Sequence, residues 1–348
     1  MSKDVKYPGN LIKEIEESPE VLRRVIKKYT KNKNYNFDKS LLDKLENAEN
    51  VYFLACGTSY HSALAAKNFF YDLRAHYKMR VASEWALNPY AHMWKTVYVM
   101  ISQSGETGDL KMCLPHVSEE DTLILITNSP NSTLAKKSDY VLDVVAGEEK
   151  AIASTKVYIA QLAVLALLAG ALKKDTSVIK ELEEIADKQE EVIANRDQYL
   201  EASKQFLGID DAYLLGRGID YPIALEATLK LKETTYIHSE AFYGGEFKHG
   251  PISLIEEGVP TILFLSEAHV APHVRENQKQ IEQYGGKVFV ITSKSLEQEG
   301  DTLTVPDCKE IYSPFLKIMV VQYIAYFLAY LKGLDSDSPR HLTKAVTE

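Results

Sequence analysis

VYFLACGTSYHSALAA (51–66) and AYLLGRGIDYPIALEA (212–227) align without a gap, and each opens as an apolar run, turns on a glycine and continues into a helical pattern. Tyr52, Leu54, Gly57, Tyr60, Ala63, Leu64 and Ala66 return as Tyr213, Leu215, Gly218, Tyr221, Ala224, Leu225 and Ala227. The correspondence continues downstream. MIS ending at Ser102 meets FLS ending at Ser266, and LILIT ending at Thr127 meets VFVIT ending at Thr292. The chain is internally duplicated.

Around these openings, short β-rich runs alternate with helical stretches: TVYVMIS (96–102), TLILIT (122–127), YVLDVV (140–145), PTILFL (260–265) and KVFVIT (287–292). Continuously apolar strands separated by helices are the pattern of a parallel sheet covered on both faces. The expected fold class is α/β, with two tandem lobes, each a parallel sheet flanked by helices in a flavodoxin-like three-layer sandwich. The expected organisation is an N-terminal helical segment (1–40), a first lobe (41–174), a charged helical linker (175–206), a second lobe (207–335) and a C-terminal tail (336–348). The linker reads as a solvated amphipathic stretch without chemistry. NLIKEIEESPEVLRRVIKKY (10–29) reads as two short helices, with Pro19 at a helix start, making packing or oligomer contacts.

A length of 348 residues favours two domains over one. The formal net charge of -9 opposes non-specific attraction to nucleic acid or anionic lipid, so any anion must be held by a local site. Three cysteines without CxxC spacing suit a reducing cytoplasm better than a disulfide framework. The opening MSKDVKYPGN has no apolar core of a signal peptide, and the apolar runs 160–172 and 318–331 read as too short or too interrupted to span a bilayer.

Strand TVYVMIS runs into QSGETGDL, which gathers Ser102, Ser104 and Thr107 around Gly105 where strand gives way to helix. Exposed N–H groups, hydroxyl donors and a glycine that lets the backbone approach make an anion site in outline, although such residues more commonly only cap a helix. Gly57, Thr58 and Ser59 lie at a second strand end, where ligands of open parallel sheets sit. GEEKAIASTK places Glu149, Ser154 and Lys156 before an apolar helix, where ligand contact and capping are equally good readings. The densest chemistry is ALEATLKLKETTYIHSEAFYGGEFKHGP (224–251), in which Glu226, Lys230 and Glu233 share one helix face. That trio fits either a weak surface ion pair or a carboxylate base beside a lysine. His249 follows in a glycine- and proline-flanked loop. HExxH, a Cys/His cluster and GxGxxG are all absent from the sequence, so neither metal nor nucleotide cofactor is expected.

EIEESP, ACGTSY, SQSGET, ASTK, ALEATLKLKE, EFKHGP and DSPRHLTKAVTE occur here in one order, and together they resemble the sugar isomerase (SIS) family, within it the isomerase half of the glucosamine-6-phosphate synthases. The resemblance implies that Ser102, Gln103, Ser104 and Thr107 hold a sugar phosphate, and that Thr58, Ser59, Glu149, Ser154 and Thr343 line the sugar. It implies Glu233 as the base moving a proton between C1 and C2, Lys230 as the group that orients and charge-balances it, and His249, supplied by a neighbouring subunit, as the ring-opening group. Lys344 becomes the amine that meets the ketose carbonyl, and a homodimer with shared active sites becomes necessary. On physical grounds alone the tail DSPRHLTKAVTE is polar, lacks an apolar stripe and would fray. Phe242, Tyr243 and Thr343 depart from the family pattern and leave the exact substrate open.

No glutaminase portion precedes the matching motifs in this sequence. The implied activities are, in order, a deaminase/isomerase converting glucosamine 6-phosphate to fructose 6-phosphate and ammonia, then a synthase fed by free ammonia or a separate glutaminase subunit, then a fructosamine-phosphate deglycase. A non-catalytic sugar-phosphate sensor needs no base, and Glu233, His249 and Lys344 together place it last.

Overall fold

The structure, a computed structural model, describes residues 7–89 and 95–347. The opening residues 1–6, in which no apolar signal-peptide core was expected, lie outside the described residues. The chain divides into two compact units that do not follow chain order. The first lobe comprises residues 18–149, 156–186 and 343–348; the second comprises 1–17, 150–155 and 187–342.

In the first lobe, β1 (Asn50–Ala55), β2 (His76–Val81), β3 (Thr96–Ser102), β4 (Thr122–Thr127) and β5 (Tyr140–Asp143) form one sheet in the order β2-β1-β3-β4-β5. Every pairing is parallel. The central strands β1, β3 and β4 are buried along their whole length, because alternate side chains are covered on opposite faces. Tyr52, Leu54, Tyr98 and Met100 join Trp85 and Leu110 in one apolar layer, while Phe53 on the other face meets Phe70 with ring centroids 5.1 Å apart. Helices α1 (Gly57–Ala66), α2 (Gly108–Cys113) and α3 (Lys156–Lys173) follow, with α3 buried from Lys156 to Leu172.

The second lobe repeats this topology. β6 (Asp211–Gly216), β7 (His238–Tyr243), β8 (Pro260–Leu265), β9 (Lys287–Ser293) and β10 (Leu303–Val305) form a parallel sheet in the order β10-β9-β8-β6-β7. Read from its other edge, this is the first sheet's arrangement. Both orders are the flavodoxin-like one, whose ligands sit beyond the carboxyl ends of the strands. Helix α4 (Tyr221–Thr235) follows β6, α5 (Ala271–Gln283) follows β8, and α6 (Pro314–Leu331) closes the lobe. The aligned glycines match in conformation, since Gly57 and Gly218 both take a φ of 52°, the left-handed region that glycine enters without steric cost.

Besides the small antiparallel pair Thr30–Lys31 and Asn34–Tyr35, three strands of the two five-stranded sheets escaped the sequence reading: β2, β7 and β10. Each lies at an outer edge of its sheet, where partial exposure removes the continuous apolar run that marks an internal strand. The run YVLDVV ends as strand at Asp143, and Val145 takes a φ of 46°, a strained value for a β-branched residue. The two helices expected around Pro19 are Asn10–Glu16 and Ser18–Tyr29. The stretch 175–206 forms helices Ser177–Ala194 and Arg196–Lys204. Their charged face is exposed, while Leu182, Ile185 and Tyr199 are buried.

The two long apolar runs belong to helical stretches, Lys156–Lys173 and Glu310–Leu331, long and apolar enough by composition to cross a membrane. They are 94% and 89% buried inside the fold, which marks them as core helices.

Candidate functional site

The SQSGET loop is built by its own hydroxyls. Ser102, the last residue of β3, is 2% exposed. Its oxygen accepts from Gly105 N at 3.0 Å and lies 2.8 Å from Thr107 Oγ1. Ser104 Oγ accepts from Glu106 N at 3.1 Å, and Gln103's carbonyl accepts from Asn128 N at 3.1 Å. Gly105 has a φ of 64°, and a Cβ there would stand 1.9 Å from Ser132 Oγ, so no larger residue fits the turn. Glu106, which the sequence reading passed over, braces the loop from outside. Its carboxylate pairs with Lys111 at 2.7 Å and accepts from Thr133 N at 2.7 Å. Those hydrogen bonds, Lys111's first, hold its carboxyl down at about 2.

Beside this loop lies a cavity of about 480 Å³ lined by Gln103, Asn128, Ser129, Asp143, Glu148 and Glu149 among others. Arg24 holds its strained rim by donating to the carbonyls of Val145 and Ala146 at 3.1 and 2.9 Å. Glu149 is 5% exposed and spans two elements. One oxygen accepts from Val157 N in the first turn of α3 at 3.2 Å, and the other takes the Lys344 ammonium at 2.6 Å. Two residues further along, Val346 O accepts from Gly108 N, the residue after Thr107, at 2.9 Å. The tail is therefore held in this lobe at two points, against the fraying that its polar sequence suggests. Thr343 is exposed there, its hydroxyl donating to Ala345 O at 3.1 Å.

Thr58 and Ser59 form the first turn of α1, both half-buried. Thus the first lobe brings together Ser102, Gln103, Ser104, Thr107, Glu149 and Lys344, and carries Thr58, Ser59 and Thr343.

The second lobe holds the remaining candidates. On α4, Lys230 lies 2.5 Å from Glu233 and 3.4 Å from Glu226. Side-chain exposures of 2% for Lys230, 0% for Glu226 and 18% for Glu233 dispose of the surface ion-pair reading. One lysine is shared by two carboxylates in a poorly solvated place, and of the three side chains Glu233 is the most exposed. The helix ends at Tyr236, whose φ of 61° turns the chain. Its hydroxyl accepts from Arg340 N at 2.9 Å, and the Arg340 guanidinium lies 4.0 Å from its ring centre.

Ser154 lies on the segment 150–155, gripped by Glu14, from the stretch that the sequence reading assigned to packing, and by Asp337, from the expected C-terminal tail. Buried Glu14 accepts from Lys150 N at 2.5 Å, and Asp337 O accepts from Ile152 N at 2.9 Å. The Asp337 carboxylate also caps helix Asn10–Glu16 through Asn10 N at 2.6 Å and Leu11 N at 2.8 Å. His249 is exposed, in the short turn Glu246–His249.

At the strand ends of this lobe, the chain supplies its own anions. Asp220, the counterpart of Ser59, is fully buried and accepts from Ser266 N at 2.8 Å. Glu267 accepts from Ile219 N, the counterpart of Thr58 N, at 3.1 Å. Fully buried Lys317 donates to Ser266 Oγ at 2.5 Å and lies 3.7 Å from Asp220. Burial lowers the Lys317 pKa, a shift that Asp220 opposes. Glu267, His269 and Glu310 cluster here with ligand atoms within 4.8 Å, but both carboxylates are engaged by backbone N–H groups, of Ile219 and Ala268.

Comparison with known proteins agrees with the duplicated architecture. The SIS domain family matches residues 44–171 and 207–332. A glutamine–fructose-6-phosphate aminotransferase (isomerizing) of Geobacillus kaustophilus is 38% identical over 98% of this chain, as is one of Bacillus anthracis. The chain spans 58% of the length of these relatives. Among solved structures, the C-terminal domain of the Francisella tularensis glucosamine-fructose-6-phosphate aminotransferase superposes with a TM-score of 0.89 at 28% identity, covering 97% of this chain and all of that one. A glucosamine-6-phosphate deaminase of Thermotoga maritima gives 0.79 at 25% identity, covering 97% of this chain and 99% of that one.

Proposed function

The chain belongs to the SIS-domain family, and on that premise we propose that it interconverts glucosamine 6-phosphate with fructose 6-phosphate and ammonia, working in the deaminating direction. The observation that carries this reading is the Lys344 ammonium held 2.6 Å from Glu149, on a tail whose next residues bond to Gly108 beside the SQSGET loop. A sugar-phosphate sensor or a plain aldose–ketose isomerase has no use for an amine fixed there.

In this proposal the N–H groups and hydroxyls of Gln103, Ser104 and Thr107 bind the phosphate, with Ser102 holding the loop in shape. Thr58, Ser59, Ser154 and Thr343 contact the sugar. His249 of the partner subunit assists ring opening. Glu233 removes the C2 proton of the open-chain aldose and returns a proton to C1, which leaves an imine at C2. Lys230 orients Glu233 and balances its charge. The Lys344 amine adds to that imine and expels ammonia, and water hydrolyses the resulting linkage to the C2 ketone, so one water enters and one ammonia leaves. The enzyme works as a homodimer in the cytoplasm.

The synthetic direction, with ammonia free or delivered by a separate glutaminase subunit, is the second reading, favoured by relatives named aminotransferases at 38% identity. A single assay separates the two. Purified protein given glucosamine 6-phosphate should release ammonia and fructose 6-phosphate in equal amounts, faster than the reverse mixture forms amino sugar. Turnover in neither direction rejects both readings.

A further inference from the structure

We infer that Gln161 is a positioning residue for the sugar, acting through the hydroxyl of Ser59. The inference rests on the placement of Ser59 against the sugar under the proposed function.

Gln161 sits in the middle of α3, among residues that are apolar and buried, and is itself 0% exposed. An amide in such a place is costly unless both its ends are hydrogen-bonded. Both ends are satisfied by α1. Gln161 Nε2 donates to Ser59 Oγ at 2.9 Å, and Oε1 accepts from Ser62 Oγ at 3.1 Å. Ser62, fully buried, shares its one proton between the Ser59 carbonyl at 2.8 Å and Gln161 Oε1 at 3.1 Å. In the structure the amide turns its NH2 toward Ser59.

This arrangement fixes the Ser59 rotamer from beneath. One lone pair of Ser59 is taken by Gln161, while its proton and second lone pair remain for a ligand on the half-buried side. Leucine or methionine would fill the volume at α3 without burying an amide, but would leave the Ser59 hydroxyl to rotate. A bond held by a buried, satisfied network is stronger and better oriented than one held by a mobile hydroxyl.

The test is a double-mutant cycle on fructose 6-phosphate binding, read by calorimetry and therefore independent of reaction direction, with inorganic phosphate as the control ligand. Ser59→Ala and Gln161→Met are each expected to weaken fructose 6-phosphate about three- to tenfold, the worth of one hydrogen bond. The double variant should be no weaker than Ser59→Ala alone, and inorganic phosphate should bind all variants equally. Additive losses in the double variant, or a parallel loss of phosphate binding, would make Gln161 a merely structural residue and overturn the inference. If Ser59→Ala weakens binding but Gln161→Met does not, only this inference fails; if Ser59→Ala has no effect, the sugar contact itself fails and the inference with it. Should Gln161→Met not fold, Ser62→Ala, which releases Gln161 Oε1, takes its place in the same cycle and must show the same non-additivity.

Discussion

Lys344, four residues from the end of the sequence, lies 2.6 Å from the buried carboxylate of Glu149, whose other oxygen accepts from the first turn of α3. A residue on a polar tail thereby acquires a fixed position set by a core helix. Lys344→Met should abolish ammonia release while leaving inorganic phosphate binding unchanged. Deleting Thr343 to Glu348 should also abolish ammonia release, in a protein that still folds but with a lowered thermal midpoint, since buried Glu149 loses its ammonium. Full turnover in either variant would refute the assigned amine.

The SQSGET loop depends on Gly105, where a side chain would strike Ser132. Gly105→Ala should lower stability by about 1–3 kcal/mol through backbone strain and steric conflict, measured by urea unfolding, and should weaken phosphate binding as well. Ser104→Ala with Thr107→Ala should cost about 1.5–3 kcal/mol for phosphorylated sugars, as expected for a bond to a charged group, and much less for unphosphorylated ones. Equal losses would relocate the phosphate.

Glu106 gives the same loop an acid limit. Its folded-state pKa of about 2 lies below the ordinary value of 4.5, so its contribution is complete above the unfolded value and disappears as pH falls toward 2. Because the pair is solvent-exposed, salt should weaken it. The midpoint difference between the protein and Glu106→Gln, followed by thermal melts, should be largest near neutral pH and vanish in acid; a difference that grows in acid would reverse the sign.

Lys317 and Asp220 form a buried pair in the second lobe. Lys317→Met strands Asp220 and should cost about 3–5 kcal/mol, whereas Lys317→Met combined with Asp220→Ser, the first lobe's residue at that place, should recover a large part of it. Additive losses in chemical denaturation would show that the two groups are energetically independent.

Much of this was legible in the sequence, and the reasons are particular. Buried β1, β3 and β4, with their counterparts β6, β8 and β9, announce themselves because both faces are covered, while edge strands such as β2 and β7 do not. The tight turn of SQSGET was legible through its glycine, but the inward role of the Ser102 hydroxyl was not, since composition does not say which lone pair a turn consumes. Glu14, Asp337 and Arg340 were missed because each acts on a segment far away in sequence. Gln161 did carry a signal: Lys156 and Gln161 on α3 recur as Lys317 and Gln322 on α6, polar residues in matching places on two apolar helices.

The central claim is that this protein moves a proton between C1 and C2 while releasing the C2 amine. Proton NMR of glucosamine 6-phosphate incubated with the protein in D2O tests it directly. Fructose 6-phosphate should appear with deuterium at C1, accompanied by ammonia, and Glu233→Gln should slow this by about 10²–10⁴-fold while still binding inorganic phosphate. An unchanged substrate spectrum, or C1 deuterium incorporation at the full rate in Glu233→Gln, would contradict the account.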